Sequence, residues 1–184
     1  MKAHTIKTDN ACVADKIRLR QMATEGLKEI KVLDLFAGNN VLWGNFKLAK
    51  YYGIEMVKDK GKNLHADNLR VIPSLDLSEF NVIDCDSYGM PMPQIEALIS
   101  NPTLQSGTII LYTAISNKMS QLTRRMKTYF GLNEMYKNAQ TLFTGYAHAY
   151  FYEYLRRKLG VKKVVEFEKK GESFVKKYGY FVYI

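Results

Sequence analysis

The stretch Asp84-Cys-Asp-Ser-Tyr-Gly-Met-Pro-Met-Pro93 concentrates more chemistry than any other part of the chain. Two carboxylates, Asp84 and Asp86, stand beside the aromatic Tyr88 and the small Gly89, and Pro91 and Pro93 stiffen the end of the stretch. A carboxylate in such a loop can accept hydrogens from an amine and fix its direction of attack. An aromatic ring beside it can stack on a planar base. Gly89 permits close approach of the backbone. The plainer reading of the same residues is an Asx turn and a proline-rich connector between a strand and a helix.

A second set lies upstream. Asp34-Leu-Phe-Ala-Gly38 follows an apolar run, and Gly38 removes a side chain where backbone must pass close to a ligand. Asp34 is placed to orient the turn or to accept from a ligand ammonium, with Phe36 inside the same turn. Glu55 falls 21 residues later, where a carboxylate can take both hydroxyls of a ribose. Asp67 and Asn68 come next, suited to a purine edge or, more plainly, to capping a helix. A nicotinamide-binding turn would carry G-x-G-x-x-G. This turn has one glycine followed by Asn39 and Asn40, which argues against a pyrophosphate cradle.

For these residues to converge they must sit at the ends of adjacent strands. Hydrophobic periodicity predicts strands at 31–36, 51–55, 62–66, 80–85, 108–113, 161–167 and 178–184. Helices are expected at 15–27, 41–50, 93–99, 116–130 and 146–159. Alternating strands and helices imply an α/β fold with a mostly parallel sheet, here seven-stranded, helices on both faces and a C-terminal antiparallel hairpin. In an open sheet of this kind, ligands bind beyond the carboxyl ends of the strands. Both acidic sets fall there. The expected organisation is one domain over 1–184, with a helical leader at 1–30 and the core at 31–184.

The D-x-F-x-G turn, the later carboxylate and this order of elements resemble the class I, Rossmann-like S-adenosylmethionine-dependent methyltransferases. The 84–93 segment is similar to the D-x-D-P-Y/F-G-x-P-x-P loop of the tRNA guanine-N2 dimethyltransferases, matching at Asp84, Asp86, Tyr88, Gly89, Pro91 and Pro93. Leu111-Tyr-Thr-Ala114 also resembles the next strand in that family. The resemblance spans nearly the whole chain in order of elements and implies S-adenosylmethionine as cofactor. Asp34, Phe36, Gly38, Glu55, Asp67, Asn68 and Asp84 would line its site. Asp86 would face the target amine, Tyr88 would pack on the base, and Asp84 would complete the catalytic set. Ser87 stands where the family has proline, which should loosen the turn. The RNA-docking region C-terminal to the catalytic domain in that family has no counterpart in these residues.

Bulk properties fit this reading. The 184 residues are 47% hydrophobic and 24% charged, the balance of a globular domain. A net charge of +9 favours a polyanionic partner, and RNA is preferred to DNA on the resemblance. Residues 156–177 carry nine Lys/Arg against three Glu, either a phosphate-binding patch or lysines guarding a sheet edge. Arg124, Arg125 and Lys127 form a second candidate patch. No apolar run is long enough to cross a membrane and residues 1–16 lack a signal-peptide core, so the expected compartment is the cytoplasm. Cys12 and Cys85 should not pair. No Cys/His spacing suits zinc, so no structural metal is expected. Trp43 and the stripe Tyr146, Tyr150, Tyr154 read as packing. Rival functions are a methyltransferase for a small molecule or protein, which a helical lid at 119–145 would favour, and a binding module that keeps the fold without catalysis.

Overall fold

The computed structural model describes residues 12–57, 63–117, 122–144, 146–170 and 174–184. Five parallel strands build the sheet: β1 (Lys31–Asp34), β2 (Lys50–Glu55), β3 (Leu64–His65), β4 (Val82–Cys85) and β5 (Ile109–Asn117). β7 (Phe174–Val182) lies antiparallel between β5 and the edge strand β6 (Val164–Lys170). The seven strands are arranged in the order β3-β2-β1-β4-β5-β7-β6, with the expected hairpin at one end.

The central strands β1 and β4 are apolar on both sides because both faces are covered. Leu33, Ile83, Ile110 and Tyr112 face one core, filled by α3 (Met92–Ile99) and α7 (Ala147–Leu159) through Ile95, Leu98, Phe151 and Leu155. Val32, Val82, Ile109 and Leu111 face the other, which is covered by α1 (Val13–Thr24) through Leu19 and Ala23, and by Trp43. A short helix, α2 (Asn68–Val71), comes after β3.

The structure corrects the sequence reading in two places. The helix expected at 41–50 is absent: the β1–β2 crossover is a run of turns, and Lys50 already belongs to β2. Asn39, Asn40, Gly44 and Asn45 are poor helix formers, and Asn40 adopts φ 62°, which ends any helical path. The apolar residues of the segment serve as core plugs instead, with the Trp43 and Phe46 ring centroids 4.9 Å apart.

The helix expected at 116–130 is also shortened. β5 runs on to Asn117 because β7 pairs with it over nine residues, from Ile109↔Val182 to Asn117↔Phe174. Helix α4 then covers only Arg124–Tyr129, with α5 (Asn133–Asn138) and α6 (Gln140–Thr144) after it. Leu122, Met126, Tyr136 and Phe143 join the core shared with α3 and α7. Thr123 Oγ1 donates to Glu96 Oε1 of α3 at 2.9 Å. The described part of the expected lid thus packs against the helical layer. Residues 1–11 of the leader, residue 62 of the third expected strand, residue 118 of the helix expected at 116–130, and 119–121 and 145 of the lid segment lie outside the described residues. Among the described residues no helix is long and apolar enough to cross a membrane.

Candidate active site

The carboxyl ends of β1, β2, β4 and β5 form one rim. The turn after β1 is an extension of the parallel ladder: Leu35 N donates to Asp84 O at 2.9 Å and Ala37 N to Ile54 O at 3.0 Å. The chain then turns at Gly38, whose φ of 52° suits glycine. Gly38 N donates to Glu55 Oε2 at 2.9 Å, and Val57 N donates to Glu55 Oε1 at 2.8 Å. Glu55 is therefore fixed against the turn, with lone pairs left for further donors. Met56, Val57 and Leu69 expose apolar side chains beside these acids in the chain.

Asp67 and Asn68 have local duties. Asp67 is the N-cap of α2 and accepts from Leu69 N at 3.0 Å. Asn68 is buried, donates from Nδ2 to Leu35 O at 2.8 Å and accepts from Gln94 Nε2 at 3.3 Å. It ties α2 and α3 to the β1 turn. Phe36 packs against the core, and its N–H donates to Asp34 Oδ1 at 3.1 Å.

Behind the rim lies an ionic pocket that the sequence reading missed. Asp34 and Asp84 are register partners on β1 and β4 and are 3% and 1% exposed. Arg20 reaches them from α1: its Nε donates to Asp84 Oδ2 at 2.8 Å and its Nη1 to Lys16 O at 2.9 Å. Trp43 Nε1 also donates to Asp84 Oδ2 at 2.8 Å, while the guanidinium lies 5.5 Å from the indole centroid. The Tyr51 hydroxyl sits 3.1 Å from both Asp34 Oδ2 and Asn40 Oδ1. Burial and the negative charge of Asp84 push the Asp34 carboxyl up to about 8, against the pull of Arg20. Burial raises Asp84 too, opposed by Arg20. Burial thus works against charge on both carboxylates, and the Arg20 guanidinium works to keep it. Asp84 sits behind the rim as an anchor, with its side chain closed off from solvent. Asp34 orients the turn.

The loop after β4 is the exposed part. Asp86 accepts from Lys16 Nζ at 2.7 Å through Oδ2 and from the Thr113 hydroxyl through Oδ1, and its side chain is 12% exposed. Ser87 replaces the rigidity that proline would have supplied. It is buried, its N–H donates to Cys85 O at 2.7 Å, and its hydroxyl donates to Thr113 O at 3.0 Å. The expected loosening is thus offset by hydrogen bonds. Gly89 adopts φ 129°, and its carbonyl accepts from Ile115 N at 2.8 Å. Between these pins Tyr88 is 81% exposed.

Arg20, Lys16 and Thr113 were not singled out from the sequence. A signal was present: Lys16, Leu19, Arg20 and Ala23 have the i, i+3, i+4, i+7 spacing of a buried helix face, with cations at two of its positions.

The basic C-terminal region divides by geometry. Glu153 pairs with Arg156 and Arg157, and Lys177 pairs with Glu166 and Glu168. Lys162 and Lys163 precede β6, which runs parallel to β5, so they lie at the end of the sheet away from the rim. Lys169 and Lys170 end β6 on the rim side and are exposed, with Lys170 paired to Glu168 at 3.2 Å and Lys169 Nζ 3.1 Å from Cys12 Sγ. Tyr154 is buried in the core, whereas Tyr146 is exposed. Among the described residues no group of His, Cys, Asp and Glu side chains is disposed to hold a metal ion.

No protein-family model and no curated protein sequence matches the chain. Solved structures do match its fold. An S-adenosylmethionine-dependent methyltransferase from Archaeoglobus fulgidus aligns over 92% of this chain and 93% of its own, at 12% identity and a TM-score of 0.54. The N-methyltransferase NodS from Bradyrhizobium japonicum aligns over 92% and 94%, at 11% identity and a TM-score of 0.54. The Haemonchus contortus phosphoethanolamine N-methyltransferase 2, solved with phosphomonomethylethanolamine and S-adenosylhomocysteine, aligns over 92% of this chain at 10% identity and a TM-score of 0.55. This chain covers 52% of the latter's length. With its strand order and terminal hairpin, the chain has the Rossmann-like fold of the S-adenosylmethionine-dependent methyltransferases.

Proposed function

We propose that the chain is an S-adenosylmethionine-dependent methyltransferase acting on a nucleic acid, RNA in preference to DNA, at an exocyclic amine of a base. The observation that carries this reading is Tyr88, an aromatic ring 81% exposed on a pinned loop, close in sequence to a carboxylate held at the same rim as Glu55. An exposed ring on a fixed loop costs little entropy to use as a stacking surface.

The residues at the rim fit the cofactor. Glu55 is fixed at the β1 turn and can accept from the ribose hydroxyls. Met56, Val57 and Leu69 offer apolar flanks for a purine, and the Gly38 turn leaves room for close approach. Asp34, Asp84 and Asn68 act from behind, holding the turn and the loop. When bound, S-adenosylmethionine supplies an electrophilic methyl group. Asp86 would accept a hydrogen of the target amine, which helps localise the nitrogen lone pair and fixes its line of attack. Tyr88 would stack on the base. The +9 charge and the rim-side Lys169 and Lys170 favour a phosphate backbone as partner.

The test is calorimetric titration with S-adenosylmethionine, then transfer of its labelled methyl group to total tRNA, to DNA and to small amines. Binding with transfer to tRNA supports the reading. Transfer to small amines alone would change the target class, and failure to bind the cofactor would favour a non-catalytic module.

A further inference from the structure

We infer that α1 is a working wall of the active site, in which Lys16 is the positioning residue for Asp86. This rests on the reading that Asp86 faces the target amine. Lys16 and Arg20 stand one helical turn apart, and both point into the acidic end of β4. Arg20 is locked: its side chain is 3% exposed, it donates twice to Asp84 Oδ2, and its Nη1 caps the Lys16 carbonyl at 2.9 Å. That last bond ties the anchored guanidinium to the backbone of Lys16 itself. The Lys16 ammonium is therefore carried by a rigid support, packed by Leu19 and Ala23 against the sheet. It lies 2.7 Å from Asp86 Oδ2 and 5.3 Å from the centroid of the Tyr178 ring, with its side chain 13% exposed.

The other oxygen of Asp86 accepts from Thr113 on β5. One carboxylate is thus gripped from two elements, a strand of the sheet and a helix from the start of the chain. Among the described residues each oxygen accepts one hydrogen bond and keeps a second lone pair, with Arg20 Nη2 standing off at 4.0 Å from Oδ2. The grip fixes the plane of the carboxylate while leaving it able to accept from a substrate. A tether of this kind matters for catalysis because a displacement of an ångström at the reacting centre can cost on the order of a hundredfold in rate. Ion pairs on an ordinary helix surface do no such work.

The experiment compares the full-length wild type with Lys16→Met, Lys16→Arg, Asp86→Ala and the double variant Lys16→Met/Asp86→Ala. Two readouts are used: labelled methyl transfer from S-adenosylmethionine to total tRNA, and amide hydrogen exchange of the 84–90 segment. Methionine keeps the packing of the lysine stem and removes only the charge and the donors. Lys16→Met should lower kcat roughly ten- to a hundredfold, with the dissociation constant for S-adenosylmethionine unchanged. It should also speed exchange at Ser87, Tyr88 and Gly89, while Lys16→Arg keeps protection and most of the turnover. In the Asp86→Ala background the Met substitution should change neither further. Unchanged exchange in a folded Lys16→Met protein overturns the inference, whatever substrate the enzyme uses. Full turnover of Lys16→Met alongside an inactive Asp86→Ala overturns it while the reading of Asp86 stands. Full turnover of Asp86→Ala overturns both.

Discussion

Replacing Arg20 with alanine should be the most damaging single change to the fold outside the apolar core. The guanidinium is 3% exposed and its partner Asp84 is 1% exposed, so neither can turn to water when the other is lost. Two donors to Asp84 Oδ2, one to the Lys16 carbonyl and the stacking over Trp43 disappear together. Asp84 would keep only the Trp43 indole, and its Oδ1 accepts nothing from the described protein. Removing one partner of a buried ion pair costs about 3–5 kcal/mol, because a buried charge is left uncompensated. For a domain with about 5–15 kcal/mol of stability that is about a fifth of the total or more. The cost should shrink in acid, where Asp84 can take up a proton instead. Urea unfolding of Arg20→Ala and wild type at pH 7.5 and pH 5.5 measures both effects. A loss below about 1 kcal/mol at pH 7.5 would place Arg20 among ordinary surface cations. An equal loss at both pH values would show that charge on Asp84 is not the cause.

Three further outcomes concern the rim and the pocket behind it. Glu55→Ala should weaken S-adenosylmethionine binding by roughly 1.5–3 kcal/mol, the worth of charge-assisted bonds to the ribose, and calorimetry reads this directly. Tyr88→Ala should leave the melting temperature unchanged, since the ring is 81% exposed, yet weaken target binding by roughly 1–3 kcal/mol in filter-binding assays; Tyr88→Phe should be mild. Asp34 bears on pH dependence. Its folded value of about 8 lies above the ordinary 3.8, so its stabilising effect is complete below about 4 and is lost as pH rises through about 8. Urea midpoints should fall across that window in the wild type and fall less in Asp34→Asn.

Much of this architecture was legible in the sequence, for identifiable reasons. β1 and β4 are short apolar runs carrying an aspartate at or near their ends, and such runs are marked by burial on both faces. The loop at 84–93 is marked by its own turn chemistry. The 41–50 segment misled because Val41, Leu42, Trp43, Phe46 and Leu48 have a spacing that a helix could use. Tertiary contact decides that segment: the Trp43 indole is drawn to Asp84, a residue far along the chain. The extension of β5 to Asn117 likewise depends on β7 and cannot be seen locally.

The site itself was only half visible. Asp84 and Asp86 look alike in a linear reading, yet Asp84 is sealed against Arg20 while Asp86 reaches the rim. The distinction comes from α1, whose buried face carries Lys16 and Arg20. Hydrophobic periodicity counts such residues as solvent-facing, so a helix that packs through its cations reads as a leader. Asp67 shows the converse: a residue suited to a ligand edge that caps α2.

The most direct measurement is labelled methyl transfer from S-adenosylmethionine to total tRNA by wild type and Asp86→Ala, with digestion to nucleosides and identification of the product. The prediction is a base methylated on its exocyclic nitrogen, formed by the wild type and reduced on the order of a hundredfold or more in Asp86→Ala, with cofactor affinity retained. Label on a ring carbon or a ribose, or full activity of Asp86→Ala, would contradict it.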